Sequence, residues 1–172
     1  STIPASPSVP ARPGYISVGW EAPSTSEVEG EENIVPIYTP RDDTPYKIEH
    51  WGQDITGSGY NTPLLTEDKT GTTDTEATAT AENFTGFNRH VGHSSEIVSG
   101  NIDGDGSLVL KLYYDRELYK VTYNDWDDTL IDEQDVMFEG ASTAPASPSR
   151  VGYTFEGWGN DGTNITDDRV IK

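Results

Sequence analysis

The chain has 172 residues, 11 basic and 30 acidic side chains, a net charge of −19 and no cysteine. Such a field repels nucleic acid and anionic lipid, and without thiols there are neither disulfides nor thiolate metal sites. No apolar run approaches the ~20 residues of a membrane span, so no membrane insertion is expected.

Hydrophobic residues make up only 33% of the chain, yet it carries nine Tyr and four Trp. Aromatics at that density argue for a packed fold, and poor helical periodicity makes it a mainly β one with polar surfaces. The N-terminus is not signal-like, so any targeting segment is expected outside this sequence.

The chain opens on PASPSVPARPGYISVGW, Pro4 to Trp20, and nearly repeats it as PASPSRVGYTFEGW, Pro145 to Trp158. Gly14-Tyr15 aligns with Gly152-Tyr153, a period of 138, with Val9 to Ala11 read as three extra residues in the first copy. Strands are predicted at 15–20 and 33–38, with an edge that a neighbour must cover. The chain is thus expected to begin in the second half of a repeating unit.

Further on, YKIEH places Tyr46, Ile48 and His50 on one strand face. TEATATA alternates Ala77, Ala79 and Ala81 against Glu76, Thr78 and Thr80. SLVLKLYY sets Leu108, Leu110, Leu112 and Tyr114 against Val109, Lys111 and Tyr113. LYKVTY does the same for Tyr119, Val121 and Tyr123, and NIDGDGS and NDWDD read as turns. A fainter repeat matches YKIEH to YKVTY and FTGF at Phe84 to FEGW at Phe155, which predicts an aromatic-x-Gly-aromatic strand in each. The joint YDRELYK lacks Gly and Pro, so little hinge motion is expected there.

Candidate chemistry is sparse. Asn101, Asp103, Asp105 and Gly106 fit the first half of a calcium loop, but Leu112 stands where a bidentate Glu is needed. A hairpin turn is the preferred reading, with these three as weak Ca2+ candidates. His90 and His93 lie near Glu96 without a helix to converge them, so a polar loop is preferred to a zinc site and no metal is assigned. No serine lies in a G-x-S-x-G elbow, and the paired acids Asp127-Asp128 and Asp167-Asp168 sit in turns. A non-enzyme without cofactor is expected. Lys47, Lys111 and Lys120 lie in strands, and solvent-facing lysines are preferred to isopeptide partners. Tyr15, Trp20, Tyr153, Phe155 and Trp158 recur at repeat positions, which points to core. Trp51 and Trp126, with Tyr60 and Asp125, are the glycan-contact candidates, since aromatics stack on sugar faces and carboxylates bond hydroxyls.

The stretch YKVTYNDWDDTLIDEQDVMFEGASTAPASPSRVGYTFEGW resembles a Listeria–Bacteroides-type repeat, also called the internalin B-repeat family. It carries the opening Y-x-V-T-[FY] strand, the Asp-rich turn and the closing A-P-x-x-P-x-R-x-G-Y-x-F-x-G-W. PARPGYISVGWEAPSTSEVEGEENIVPIY resembles only the second half of the same pattern and departs from it at Ile16 and Val18, where Thr and Phe are usual. YKIEHW, TGTTDTEATA, FTGF and DGSLVLKLYYDR resemble a mucin-binding-protein (MucBP-like) repeat.

The resemblance divides the chain into 1–45, the C-terminal half of a Listeria–Bacteroides-type repeat plus linker; 46–115, a MucBP-like repeat; and 116–172, a nearly complete repeat of the first kind. It implies β-grasp, ubiquitin-like units in an elongated tandem array. It also implies a secreted, wall-anchored surface adhesin of a Gram-positive bacterium. The expected role is a stalk or spacer, monomeric and stabilised by neighbouring repeats of the same chain, with weak binding to host mucin or other glycans. The alternatives are a stand-alone carbohydrate-binding module and an accessory segment of a surface-bound enzyme.

Overall fold

The computed structural model describes residues 7–21, 34–160 and 162–172. Among them the chain is mainly β, with eleven strands and no helix, as the period-two patterns predict. It divides into two compact units, each assembled from separated segments. Strands β3 (Thr44–Gly52), β4 (Thr62–Gly71), β6 (Phe87–Arg89) and β8 (Val109–Arg116) form one four-stranded sheet of order β4-β3-β8-β6.

The first unit comprises Ser1–Glu49, Thr66–Thr80 and Ile97–Lys111. Its N-terminal hairpin pairs β1 (Tyr15–Trp20) with β2 (Pro36–Pro40), Tyr15 opposite Pro40 and Trp20 opposite Pro36. The register slips between Ser17 and Gly19, where Gly19 has φ +150°, the backbone freedom a bulge needs. The first strand falls where the sequence predicts it. The second begins at Pro36 rather than at Asn33, which lies outside the described residues. A short ladder joins β5 (Glu76–Thr78) to β7 (Ser99–Asn101). Ile48, Ala77, Ile102 and Leu110 are buried together, flanked by Tyr46, Ala79 and Leu108. The alanine alternation therefore holds for Ala77 and Ala79, but Ala81 is exposed because the strand ends at Thr78.

The second unit comprises His50–Leu65, Ala81–Glu96 and Leu112–Lys172. His50, Leu112 and Tyr114 are fully buried. The Tyr114 hydroxyl lies 2.9 Å from His50 Nδ1 and accepts from the Glu82 N–H at 3.1 Å. A buried Tyr–His pair of this kind keeps its polar atoms bonded without water. A three-stranded sheet of order β10-β9-β11 follows, from β9 (Leu118–Asn124), β10 (Leu130–Met137) and β11 (Arg169–Ile171). The last strand runs parallel to β9, with Val170 opposite Thr122. Val121, Tyr123, Val136, Ile165 and Ile171 form its core, with Tyr119 and Trp158 packed against it.

Two strand expectations fail. Phe84 to Phe87 is a turn closed by a Phe87 N–H bond to the Phe84 carbonyl at 3.1 Å, and β6 starts only at Phe87. Residues 155–158 form no strand at all. At the first place Gly86, at φ +75°, turns the chain. At the second Gly157, at +134°, matches Gly19 at +150° inside β1, and what differs is the partner, since no described strand lies beside 155–158 as β2 lies beside β1.

Candidate functional site

The sequence repeat is a structural repeat. Tyr15 N–H bonds the Arg12 carbonyl at 3.1 Å, and Tyr153 N–H bonds the Arg150 carbonyl at 3.1 Å. Gly14 and Gly152 have φ of +75° and +82°. The Arg12 guanidinium lies 3.8 Å from the Tyr15 ring centre, and that of Arg150 lies 3.9 Å from the Tyr153 ring centre. Trp20 Nε1 donates to the Pro7 carbonyl at 2.7 Å, and Trp158 Nε1 to the Pro145 carbonyl at 3.4 Å.

These bonds set the two copies in register without a gap, Pro7 on Pro145 through Trp20 on Trp158. Val9 to Ala11 are therefore not an insertion, and the family's Phe, present as Phe155, is replaced by Ser17 rather than at Val18. The working parts are P-x-x-P-x-R-x-G-Y and G-W. The arginine is a positioning residue that sequence reasoning passed over, although it recurs at the same offset of 138.

The surroundings of the two turns differ. In the first unit the Gly14 carbonyl accepts from Thr73 Oγ1 at 2.8 Å and from the Arg41 N–H at 2.8 Å. Tyr15 donates its hydroxyl hydrogen to Asp74, and this bond, with some burial, raises the phenol's pKa. Gly104 packs so closely that a Cβ there would strike the Pro13 carbonyl.

In the second unit the Arg150 turn faces solvent beside the Asp-rich turn. The Arg150 guanidinium lies 3.9 Å from the ring centres of both Trp126 and Tyr153. Trp126 is 62% exposed and Tyr153 66%. With Asp125, Pro148, Thr154 and Phe155 they line a shallow concavity. Asp125 accepts from the Trp126 N–H at 2.8 Å, so its carboxylate caps the turn that presents the indole. Asp127 caps the next bond, from the Thr129 N–H at 3.1 Å. Thr129, through its side chain first and then this N–H, and more than the nearby Arg150 charge, holds the Asp127 carboxyl below the usual range. The concavity is an exposed aromatic–cation platform with a carboxylate at its edge.

Of the four glycan-contact candidates, then, Trp126 and Asp125 come together here and the other two do not. Trp51 is half-buried within β3. Tyr60 donates to Asp115, and its oxygen lies 3.1 Å from His90 Nδ1, which is itself 2.9 Å from Asp115 Oδ1. His93 stacks on Tyr113 at 3.8 Å, while Glu96 is taken by Arg89 and the Gly92 N–H. Among the described residues no three His, Asp or Glu side chains are grouped to hold a metal. At the calcium candidates, Asp105 accepts from the Ser107 N–H at 3.0 Å and the Asp103 carbonyl from the Gly106 N–H at 2.9 Å, while Asn101 ends β7 opposite Glu76. Lys47 and Lys120 make half-exposed ion pairs with Asp68 at 2.7 Å and Glu133 at 2.5 Å, not the buried contacts an isopeptide bond requires.

The Tyr60–His90–Asp115 cluster makes a pH-dependent contribution. Burial lifts the Asp115 pKa, but the bonds from Tyr60 and His90 outweigh it and hold the carboxyl below the usual range. A depressed folded-state pKa gives stability that is present above the unfolded value of about 3.9 and is lost as pH falls through the folded one. Asp115→Asn removes that dependence. Its circular-dichroism acid titration between about pH 5 and 2 is expected to fall less steeply than that of the parent.

Residues 119–170 match the family model of the Listeria-Bacteroides repeat domain. The match starts in β9, takes in the Asp-rich turn and the Arg150 turn, and ends within β11. It points to a repeat region of the kind surface proteins carry. No curated protein matches the chain.

Proposed function

We propose that the chain, with its Listeria-Bacteroides repeat at residues 119–170, is a non-catalytic repeat segment of a secreted, wall-attached bacterial adhesin. It acts as a spacer between the cell and a more distal binding head. The observation that carries this reading is the recurrence of one P-x-x-P-x-R-x-G-Y…G-W fold at a fixed offset of 138 residues. A motif used twice for its own internal bonds is a building element, not a one-off active site. β-grasp-like units in tandem, with residues 46–115 a MucBP-like repeat, belong to the same proposal. So does the acidic, thiol-free composition, which suits an extracellular polymer of like modules. Antibody against the chain is expected to label intact producing cells. Its confinement to the cytosol would sink the reading.

A second reading, weak attachment to host mucin glycans, rests on the platform of Trp126, Arg150 and Tyr153. Sugar rings stack on such faces, and a single weak site becomes useful only in many copies. Trp126→Ala removes an exposed side chain and is expected to leave the thermal unfolding midpoint within about 2 °C, as surface substitutions do. The same change should abolish binding of a multivalent display of the chain to mucin glycopeptides. Equal binding of both forms, or binding by neither, would remove the glycan role and leave the spacer.

A further inference from the structure

The Arg12–Tyr15 turn shows what its exposed twin is built to touch. In the first unit its two outward groups, the Gly14 carbonyl and the Tyr15 hydroxyl, meet Thr73 Oγ1 and the Asp74 carboxylate. The Pro13–Gly14 peptide lies flat on Gly104, where any side chain would collide with it. So a threonine, the aspartate after it and a bare glycine form a socket for this turn. The second copy reproduces the turn's internal bonds and lacks the socket. Val151 is fully exposed, Tyr153 is 66% exposed, and a Cβ on Gly152 would meet nothing within 4 Å. No described residue takes the place of Asp74 beside the Tyr153 hydroxyl.

We infer that the Arg150–Tyr153 turn is a docking knob for a further module carrying the Thr73, Asp74 and Gly104 chemistry, a second copy of the segment beginning at Val35. The inference rests on the repeat-segment reading and deepens it. The occupant follows from the twin turn: Arg12–Tyr15, with the same internal bonds, is seated on Thr73, Asp74 and Gly104, so a copy of the segment from Val35 onward, without its own Arg12 turn, presents that socket empty. Seated there, the second module's Thr73, Asp74 and Gly104 stand to Tyr153 as the first module's stand to Tyr15. The contact is heterologous, knob into socket, and it propagates along a chain instead of closing into a ring. It also covers Tyr153 to the half-buried state of Tyr15, leaving Trp126 as the platform's exposed remainder.

The test joins Val35–Lys172 to the C-terminus of the full chain and follows nitration of each tyrosine by tetranitromethane with peptide mass spectrometry. In the single chain Tyr153 is expected to react fast and Tyr15 slowly. In the joined chain Tyr153 is expected to slow to the Tyr15 rate. Asp74→Ala in the second copy alone should restore fast reaction at Tyr153. Should that variant misfold, seen as lost protection of the second copy's Tyr114, Thr73→Val in the same copy supplies the comparison. Fast nitration of Tyr153 in the joined chain, with the second copy's Tyr114 protected, overturns the inference. If mucin glycopeptide protects Tyr153 in the single chain while joining does not, the knob is a glycan contact and the inference also falls. In either case surface labelling of intact cells still decides the repeat-segment reading separately.

Discussion

Gly14→Ala is expected to destabilise the first unit by about 2–4 kcal/mol, whereas Gly152→Ala costs about 1 kcal/mol. Both glycines sit at nearly the same positive φ, +75° and +82°, so the backbone penalty of the left-handed region is common to the two. The difference lies in what the new methyl meets. At Gly152 there is open space. At Gly14 it would overlap the Gly104 backbone and stand 2.7 Å from Thr73 Oγ1. A backbone cannot swing aside as a flexible side chain can, so the turn must lift off and lose its bonds to Thr73 and Asp74. Urea unfolding of the two variants, with amide exchange read at residues 12–20, checks this. Equal losses at the two glycines would mean that docking adds nothing to the first turn.

Arg116→Met is expected to cost about 3 kcal/mol in the second unit, because hydrogen bonds from a charged donor contribute roughly 1.5–3 kcal/mol and their acceptors here would be left without partners. The guanidinium is mostly buried; Nε bonds the Gln53 carbonyl at 2.9 Å and Nη1 the Phe138 carbonyl at 2.8 Å. Nη1 also reaches Glu139 at 3.1 Å, and the group lies 4.8 Å from the Phe87 ring centre. One residue thus ties β8 to both the Gln53 turn and the end of β10. The joint it guards is short: β8 ends at Arg116 and β9 begins at Leu118. Around it Glu117 donates to the Gly86 carbonyl and Phe138 to the Glu117 carbonyl, each at 2.8 Å. The lack of Gly and Pro in YDRELYK fits a joint pinned on both sides. Arg116→Lys, with a single donor group, should recover less than half of the loss. Urea midpoints that match the parent for both variants would show the bridge to be dispensable.

Much of this fold is legible in the sequence because its strands alternate. Leu110, Leu112 and Tyr114 read as one inward face and are buried to within 1%. Val121 and Tyr123 do likewise. β4 escaped, because Thr62–Gly71 is an outer strand exposed along nearly its whole length, and a strand that buries nothing has no apolar period to detect. The turn at Phe84–Phe87 escaped for a different cause: aromatic spacing of three suits either a strand or a turn, and the φ of Gly86 distinguishes them. At Phe155–Trp158 the missing element is a partner strand, which the segment's own pattern does not report. Of the site, Trp126 and Asp125 could be named because they flank an Asp-rich turn. The part played by Arg150 could not, since stacking between two rings needs two segments to meet. The socket of Thr73, Asp74 and Gly104 is equally silent, for none of the three is unusual in its own neighbourhood.

The parallel pairing of β9 with β11 has a mechanical consequence. Arg169, Val170 and Ile171 lie beside Val121, Thr122 and Tyr123 in the same direction. Tension applied between Leu118 and Lys172 pulls the two strands past each other along their length. Their hydrogen bonds are then loaded together, in shear, instead of opening one after another from an end. Resistance to such a pull is set by the rate of crossing a barrier and not by the equilibrium free energy. The core around Tyr123 and Ile165 is therefore expected to resist such a pull by the slowness of its rupture, and not in proportion to its equilibrium stability.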